Sequence, residues 1–191
     1  EELLTALDLI GKGYAELGEL RGSWAGAMGH TQFMPSSYMK YAVDQTGDGH
    51  ADIWTSTSDA IASTANYLKS FGWVPGLPWG IEVVVPEGFD HNLYRASFAS
   101  FRSAGLRRAD GGSLPSSGEA RLFYPAGHTG PALLLTANFD VIKKYNSSDA
   151  YALAVGHLGD RIVGRPALQG DWPVKAPRLD KAGKFLGFRG V

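Results

Sequence analysis

The sequence contains no cysteine, which excludes disulfide bonds, thiolate metal sites and cysteine nucleophiles. It also lacks a basic excess: 18 Lys and Arg stand against 19 Asp and Glu, for a net charge of −1, which argues against a nucleic-acid-binding surface. No apolar run approaches the ~18 residues of a membrane span, and no signal peptide opens the chain. Glu1 lies inside a helical pattern, so we expect the 191 residues to be a fragment.

Several catalytic signatures are missing as well. The five histidines form no His-Glu-x-x-His pair, so a zinc enzyme is not expected. Gly-x-Ser-x-Gly and phosphate-cradling glycine loops are also absent. The sequence is 44% hydrophobic and 12% aromatic, a composition typical of a globular protein with a real core.

Periodicity predicts helices in the first part of the chain. Apolar residues from Leu3 to Leu17 recur at helical spacing and predict an amphipathic helix that ends near Gly18. A short helix is expected from Met34 to Val43. A longer one is expected after Thr57 or Ser58, with its end at Gly72.

The pattern then changes to short apolar runs bounded by Gly and Pro, which predict strands between residues 80 and 136. The Ser-, Gly- and Arg-rich stretch between Phe98 and Glu119 predicts no element. Helical spacing returns at Asn138–Tyr145. It is clearer after Ser148, where Tyr151, Val155, Leu158 and Ile162 form an apolar stripe, and the chain becomes rich in Pro and Gly from Gly164. We therefore predict an α+β, mostly α protein in four parts: residues 1–79 and 137–163 as a helical core, residues 80–136 as a small β insertion, and residues 164–191 as a linker.

The most specific string runs from Gly22 to Gly29 (Gly-Ser-Trp-Ala-Gly-Ala-Met-Gly) and continues through residues 31–38 (Thr-Gln-Phe-Met-Pro-Ser-Ser-Tyr). Its glycines and alanines allow close backbone approach, and a hydroxyl, an amide and aromatic rings stand among them. Such a set suits a sugar, which has an apolar ring face and a hydroxyl rim. The same composition is also compatible with close helix–helix packing over small residues.

This string resembles the signature of the type B family of membrane-bound lytic murein transglycosylases, which have a lysozyme-like core. The resemblance continues through the Asp/Gly loop at residues 44–52, the segments 59–63 and 65–68, Phe71-Gly72-Trp73, Tyr145-Asn146 and residues 151–155. These pieces follow the family order over most of residues 20–75 and 138–163. The resemblance implies cleavage of the MurNAc–GlcNAc β-1,4 bond of peptidoglycan without water, leaving a 1,6-anhydro-MurNAc end.

The resemblance also implies the substrate-binding residues. Ser23 and Gln32 would bind the sugar near the cleaved bond, Tyr67, Tyr145 and Tyr151 would line a groove, and Asn146 would hydrogen-bond the glycan. From the residues alone, each tyrosine is compatible with a partly buried core ring, and Tyr67 and Tyr151, which lie within helical patterns, would be interpreted as structural. We expect all six side chains to converge on one open groove.

The catalytic acid is not found in the sequence. In the family, one glutamate in a Glu-Ser/Thr-x-aromatic-Gly motif lies well upstream of the Gly-Ser-Trp string. Only 22 residues precede Ser23, and none of the glutamates Glu1, Glu2, Glu16 and Glu19 is followed by that pattern. A general acid with a raised pKa needs an apolar pocket. The four glutamates are instead predicted to lie on the solvated face and at the end of the first helix. No catalytic residue is therefore assigned.

The Asp/Gly loop follows the first half of an EF-hand. Asp44, Thr46 and Asp48 occupy the oxygen-ligand positions, His50 would use its backbone carbonyl, and Asp59 would close the site as the family's modified loop does. The loop is compatible with a structural calcium ion, and equally with an Asp/Gly turn before a helix. No cofactor is expected for catalysis.

Two functions from different classes are compatible with these observations. One is a lytic transglycosylase of which this chain carries the glycan-binding part. The other is a non-catalytic, calcium-stabilised peptidoglycan-binding module. Either implies peptidoglycan strands as the partner, no nucleic acid, a monomer, and a periplasmic or cell-envelope location. The resemblance adds outer-membrane association through an N-terminal segment that this sequence does not contain.

Overall fold

A computed structural model describes residues 1–173, which form six helices and five strands. Contacts divide the chain into two compact units, Glu1–Pro75 and Gly76–Val191. The helices are α1 (Glu2–Gly11), α2 (Pro35–Tyr41), α3 (Thr57–Ser70), α4 (Phe98–Ser103), α5 (Ala137–Tyr145) and α6 (Asp149–Ile162). The strands are β1 (Gly80–Val84), β2 (Arg95–Ser97), β3 (Arg107–Arg108), β4 (Glu119–Phe123) and β5 (Ala132–Leu135). None of the described helices is both long and apolar enough to cross a membrane.

Helix α1 of the first unit differs from its prediction in length and in the face that it buries. It ends at Gly11 rather than near Gly18, and Gly13 adopts a left-handed φ of 71° in the turn that follows. The predicted apolar stripe is exposed, with Leu3 at 73% and Leu4 at 71%, whereas Leu9 is fully buried. The buried face is set by packing on α2, where the Glu2 carboxylate accepts hydrogen bonds from the backbone N–H and hydroxyl of Ser36.

Polar groups hold the interior of the first unit together. The Tyr38 hydroxyl donates to the carbonyl of Ala51 at 2.9 Å, and burial raises the pKa of Tyr38 to about 12, so it remains a donor. Ser63, fully buried in α3, accepts a hydrogen bond from the backbone N–H of Val43. Helix α3 is capped by Ser56, one residue before the predicted candidates, and stops at the predicted place, with Gly72 at φ 92°.

The second unit is built on one antiparallel sheet with the order β2-β4-β5-β1-β3. The central strand β5 is buried along its whole length. Its Leu134 packs in a cluster with Phe98 and Phe101 of α4, the helix that lies in the stretch for which the sequence predicted no element. All five strands lie between residues 80 and 136, as the sequence indicated.

Helices α5 and α6 pack on each other and belong to the same unit as the sheet. Thr136 caps α5 and donates its hydroxyl hydrogen to the carbonyl of Pro78, which fixes the helix start to the chain before β1. Helix α6 begins after Ser148, as predicted, but buries Ala152 and Gly156. The predicted apolar stripe is exposed, with Leu158 at 60% and Ile162 at 76%.

The start of the predicted linker is attached to the sheet. Both oxygens of the Glu82 carboxylate accept backbone N–H groups, one from Gly170 and the other from Gln169, each at 2.7 Å. A Cβ at Gly170 would come within 2.8 Å of Pro131 Cα, so this contact is close. The rest of the predicted linker, residues 174–191, lies outside the described residues. The four domain boundaries remain predictions.

Candidate functional site

Residues 22–33 form a short hydrogen-bonded ladder in the first unit. The buried residue Met28 pairs with Gly22 on one side and with Phe33 on the other. The backbone N–H of Ser23 donates to Ala27 at 2.9 Å, which closes one turn. Met28 and Phe33 exchange two backbone hydrogen bonds of 2.7 and 3.0 Å, which close the other. The segment is therefore a preformed scaffold rather than the helix–helix contact that composition alone allowed.

Gln32 has an unusual backbone conformation in this ladder. Its φ of 52° makes it the one non-glycine residue with positive φ among the described residues. Its side-chain Nε2 donates to the carbonyl of Gly29 at 3.0 Å, and its side chain is otherwise exposed. Gly29 is required beside it, because a Cβ there would come within 2.7 Å of the carbonyl of Ile53. Strained residues of this kind cluster at binding sites.

Trp24 extends from the first turn and is completely exposed, at 101%. The turn beneath it is closed by the Ser23 hydroxyl, which accepts the backbone N–H of Ala27 at 3.2 Å. Ser23 and Gln32 are thus both exposed on the ladder, and Trp24 stands next to Ser23. Trp24 is not among the predicted site residues, although its position beside a hydroxyl in a small-residue string is a signal that could have indicated it.

Tyr67 lies largely inside the first unit and is only 8% exposed. Its ring is 5.5 Å from that of Phe33, 5.0 Å from that of Tyr41 and 4.6 Å from that of Phe71. Burial raises the pKa of Tyr67, so the phenol stays protonated. The structural interpretation of this tyrosine is the stronger one: its ring supports Phe33, the neighbour of Gln32.

Tyr145, Asn146 and Tyr151 lie together at the α5–α6 turn of the second unit. Tyr145 ends α5, Asn146 follows it, and Tyr151 lies in the first turn of α6. The Asn146 side chain accepts the backbone N–H of Ser148 at 3.0 Å, and both tyrosines are half-buried. The six predicted substrate-binding residues therefore form two groups of three, one in each unit. Their convergence on a single groove remains a prediction.

The Asp/Gly loop is folded around its own carboxylates. Asp44 accepts hydrogen bonds from the Thr46 hydroxyl and from the backbone N–H groups of Gly47 and Gly49. The Gly49 bond is the largest factor that lowers the pKa of Asp44, which stays charged. Asp48 accepts the backbone N–H of His50.

Asp59 is fully buried and closes this loop. Its carboxylate accepts the backbone N–H groups of Gln45, Thr46 and Asp52 at 2.9, 3.2 and 3.0 Å. The carbonyl of His50, a predicted ligand, accepts from Asp52 at 3.1 Å, and its ring nitrogen contacts the carbonyl of Tyr14. Within residues 1–173, no three His, Asp or Glu side chains are grouped so that they could hold a metal ion. Calcium binding by this loop remains a prediction.

The glutamates of the first segment show no sign of a general acid. The hydrogen bonds from Ser36 lower the pKa of Glu2, the opposite of what an acid catalyst at neutral pH requires. Glu2 is not a solvated surface residue as predicted, because it joins α1 to α2. Glu19 accepts the backbone N–H of Glu16 at 2.8 Å in the turn after α1, and Glu16 is exposed.

Comparison with known proteins identifies the family. The family described as Transglycosylase SLT domain matches residues 1–160, and the chain belongs to it. Membrane-bound lytic murein transglycosylase B of Escherichia coli K12 is 41% identical over 150 residues, which cover 75% of this chain and 40% of that protein.

Solved structures agree with this assignment. SltB3 from Pseudomonas aeruginosa in complex with NAG-anhNAM-pentapeptide is 49% identical, with a TM-score of 0.85 over 91% of this chain and 48% of that chain. The Escherichia coli lytic transglycosylase Slt35 in complex with calcium is 38% identical, with a TM-score of 0.69 over 85% of this chain and 52% of that chain. The predicted α+β, lysozyme-like fold class is confirmed. The chain spans about half the length of these relatives.

Proposed function

We propose that this chain is the glycan-binding part of a peptidoglycan lytic transglycosylase. The whole enzyme would cleave the MurNAc–GlcNAc bond without water and leave a 1,6-anhydro-MurNAc end. One observation carries the proposal: the hydrogen-bonded ladder of residues 22–33 exposes the Ser23 hydroxyl, the Trp24 ring and the side-chain amide of Gln32, whose backbone has a left-handed φ. The complex of SltB3 with NAG-anhNAM-pentapeptide supports a peptidoglycan fragment as the ligand.

The ladder residues would have separate roles in this site. The hydrogen bond from Gln32 Nε2 to Gly29 orients the carboxamide, so that its oxygen can accept the N–H of an N-acetyl group. Ser23 would hydrogen-bond the sugar through its hydroxyl. The second group, Tyr145, Asn146 and Tyr151, would offer two rings and an amide at the α5–α6 turn. Tyr67 would act by supporting Phe33 beneath the ladder.

Calcium would stabilise the first unit at the Asp/Gly loop. The donors that the sequence offers are the side-chain oxygens of Asp44, Thr46, Asp48 and Asp59 and the carbonyl of His50, all hard oxygen ligands of the kind that calcium prefers. Because no three of these carboxylates are grouped around one point in the described residues, the loop would have to rearrange to bind the ion. The charged Asp44 carboxylate and the buried Asp59 already organise the loop backbone. The calcium complex of Slt35 supports the same ion here.

The proposal places the protein in the cell envelope, where peptidoglycan is found. The Escherichia coli relative is named as membrane-bound, which supports association with a membrane.

Co-sedimentation of the 191-residue chain with purified sacculi tests the glycan-binding role. We expect the wild-type protein to sediment with sacculi. The variant Gln32→Gly should bind several-fold more weakly while its melting temperature stays equal or rises, because glycine relieves the left-handed backbone. Gln45→Ala, at an exposed glutamine of the same unit, serves as the control and should bind normally. Equal binding by Gln32→Gly and wild type contradicts the assignment, as does a wild type that does not bind.

A further inference from the structure

The second unit contains an aromatic cluster that none of the roles above uses. Three rings lie together on its surface: the His91 and His128 ring centroids are 4.7 Å apart, and those of Tyr124 and His128 are 4.4 Å apart. The ring of Phe89 lies 5.4 Å from that of His91. Both histidines are exposed and Tyr124 is half-buried, so part of each residue is accessible to solvent.

These rings border a cleft of about 690 Å³, within the range typical of small-ligand sites. One wall is the segment that follows β1, including Val85 and Pro86, and another is the segment that leads into β5, including Pro131. The Glu82 carboxylate lines the same cleft and is held by the backbone N–H groups of Gln169 and Gly170. Glu87 adds a second, exposed carboxylate.

The two loops that carry the rings are fixed by hydrogen bonds. In the first loop, Phe89 donates its backbone N–H to Pro86, and the Asp90 side chain accepts the backbone N–H of Asn92 at 2.9 Å. In the second loop, Gly127 donates to Tyr124 and Gly130 donates to Gly127, at 3.3 and 3.1 Å. The rings are therefore positioned before any ligand arrives.

The chemistry of the cleft selects among ligand classes. Two carboxylates disfavour an anion, and they are also poor partners for a purely apolar ligand. A pyranose ring fits better, because its C–H face stacks on aromatic rings while its hydroxyl rim needs hydrogen-bonding groups at the ring edges. Tyr124 supplies such a group: its hydroxyl is 3.4 Å from His91 Nδ1, and burial raises its pKa, so it remains a donor. The imidazole nitrogens supply others.

We propose that the cleft bordered by His91, Tyr124 and His128 is a second carbohydrate-binding site that takes an N-acetylhexosamine unit of a glycan strand. This inference rests on the proposed function, because it assumes a glycan as the ligand of the chain. It adds a subsite in the sheet unit that belongs neither to the ladder nor to the α5–α6 turn. Tyr124 is the stacking platform, and the two histidines form its rim.

The test is a titration of the full 191-residue chain with tetra-N-acetylchitotetraose, followed by NMR of the five histidine rings and the Trp24 indole. The His91 and His128 signals should shift with one common dissociation constant, whereas His50, in the other unit, should not move. Tyr124→Leu should weaken this binding at least tenfold and Tyr124→Phe should retain most of it. Tyr94→Leu, at an exposed tyrosine of the same unit outside the cleft, is the matched control and should bind like wild type.

The outcomes separate this proposal from the proposed function. A shift of Trp24 without a shift of His91 and His128 overturns the second site and leaves the ladder site standing. No shift at any of these residues overturns both. A shift of the two histidines by butylammonium but not by the sugar identifies a cation site and overturns the proposal. If Tyr124→Leu fails to fold, the double variant His91→Ala/His128→Ala, at two exposed residues, replaces it and must show the same loss.

Discussion

Gly156 lies against the indole ring of Trp79 so closely that a Cβ on Gly156 would come within 2.6 Å of Trp79 Cδ2. The same helix holds the indole at its edge, where Asp160 accepts the Trp79 Nε1–H at 2.8 Å. Helix α6 is thus positioned by a small residue and a carboxylate one turn apart.

Gly156→Ala should destabilise the second unit by about 1–3 kcal/mol, because a methyl group there overpacks the Trp79 contact. Gly159→Ala is the matched control in the same helix: nothing lies within 4 Å of its added Cβ, and helix propensity favours alanine by up to about 1 kcal/mol. Thermal unfolding should show a lower melting temperature for the first variant and an equal or higher one for the second. Similar melting temperatures for the two would mean that α6 does not rest on Trp79.

Trp24→Ala should weaken binding to solubilised peptidoglycan strands about fivefold, which corresponds to the loss of about 1 kcal/mol of ring stacking. Trp24→Phe should retain most of the affinity. Because Trp24 is fully exposed, neither change should alter the melting temperature. Isothermal titration calorimetry, which does not depend on the substituted ring, measures the affinity, and Trp172→Ala, in the other unit, is the control. Unchanged affinity in Trp24→Ala would remove this ring from the site.

Millimolar calcium should raise the melting temperature of the first unit by a few degrees, since a ligand that binds the folded state stabilises it by mass action. Asp48→Ala should abolish this increment, because it removes a ligand at the cost of one hydrogen bond to His50. Asp90→Ala removes a comparable turn hydrogen bond in the second unit and should leave the increment intact. A calorimetric scan that is the same with calcium and with a chelator would show that the loop is only a turn.

The contact between Glu2 and Ser36 should make the first unit sensitive to acid. Hydrogen bonds from Ser36 lower the pKa of Glu2 below its ordinary value of 4.5, so the stabilisation is present above that value. It is lost as the pH falls through the lowered pKa of the folded state. Glu2→Gln should therefore melt below wild type at pH 7 and should approach it in strong acid. Glu16→Gln, at an exposed residue, should follow wild type throughout, and a constant gap for Glu2→Gln would contradict this explanation.

The 191-residue chain by itself should release no 1,6-anhydromuropeptides from sacculi, because the sequence contains no Glu-Ser/Thr-x-aromatic-Gly motif. Mass spectrometry of the soluble products, with heat-inactivated protein as the control, makes the measurement. Products above that control would direct attention to the glutamates of the first segment. Glu2→Gln and Glu19→Gln would then identify which of them acts.

The sequence predicted the element types well wherever local signals dominate. The start of α6 after Ser148 and the stop of α3 at Gly72 follow from a side-chain cap and a left-handed glycine, both of which act within one turn of chain. The strands of residues 80–136 follow from short apolar runs between Gly and Pro. The family resemblance, which rests on the 22–38 string above all, was likewise available from residues alone.

Tertiary structure decided which faces are buried. The leucine stripe of α1 and the Val155, Leu158 and Ile162 stripe of α6 predicted core faces, yet both are exposed in the described residues. Helix α1 instead buries Leu9, and α6 buries Ala152 and Gly156. The contacts that set these faces are made with Ser36 and Trp79, which lie far away in sequence, so the local pattern does not predict them. Periodicity reports only that a helix has an apolar side. The shape and hydrogen-bonding groups of the neighbouring element determine which side it packs against.

The candidate site likewise combines features that the sequence predicts with features that only the tertiary structure decides. The family resemblance of the 22–38 string predicted roles for Ser23 and Gln32, and the EF-hand-like spacing predicted the loop carboxylates, because those signals lie in contiguous strings. The left-handed φ of Gln32, the complete exposure of Trp24 and the burial of Tyr67 depend on the ladder around Met28 and on rings from three separate elements. The cluster of His91, Tyr124 and His128 has no signature in the sequence, since the sheet alone brings its two loops together.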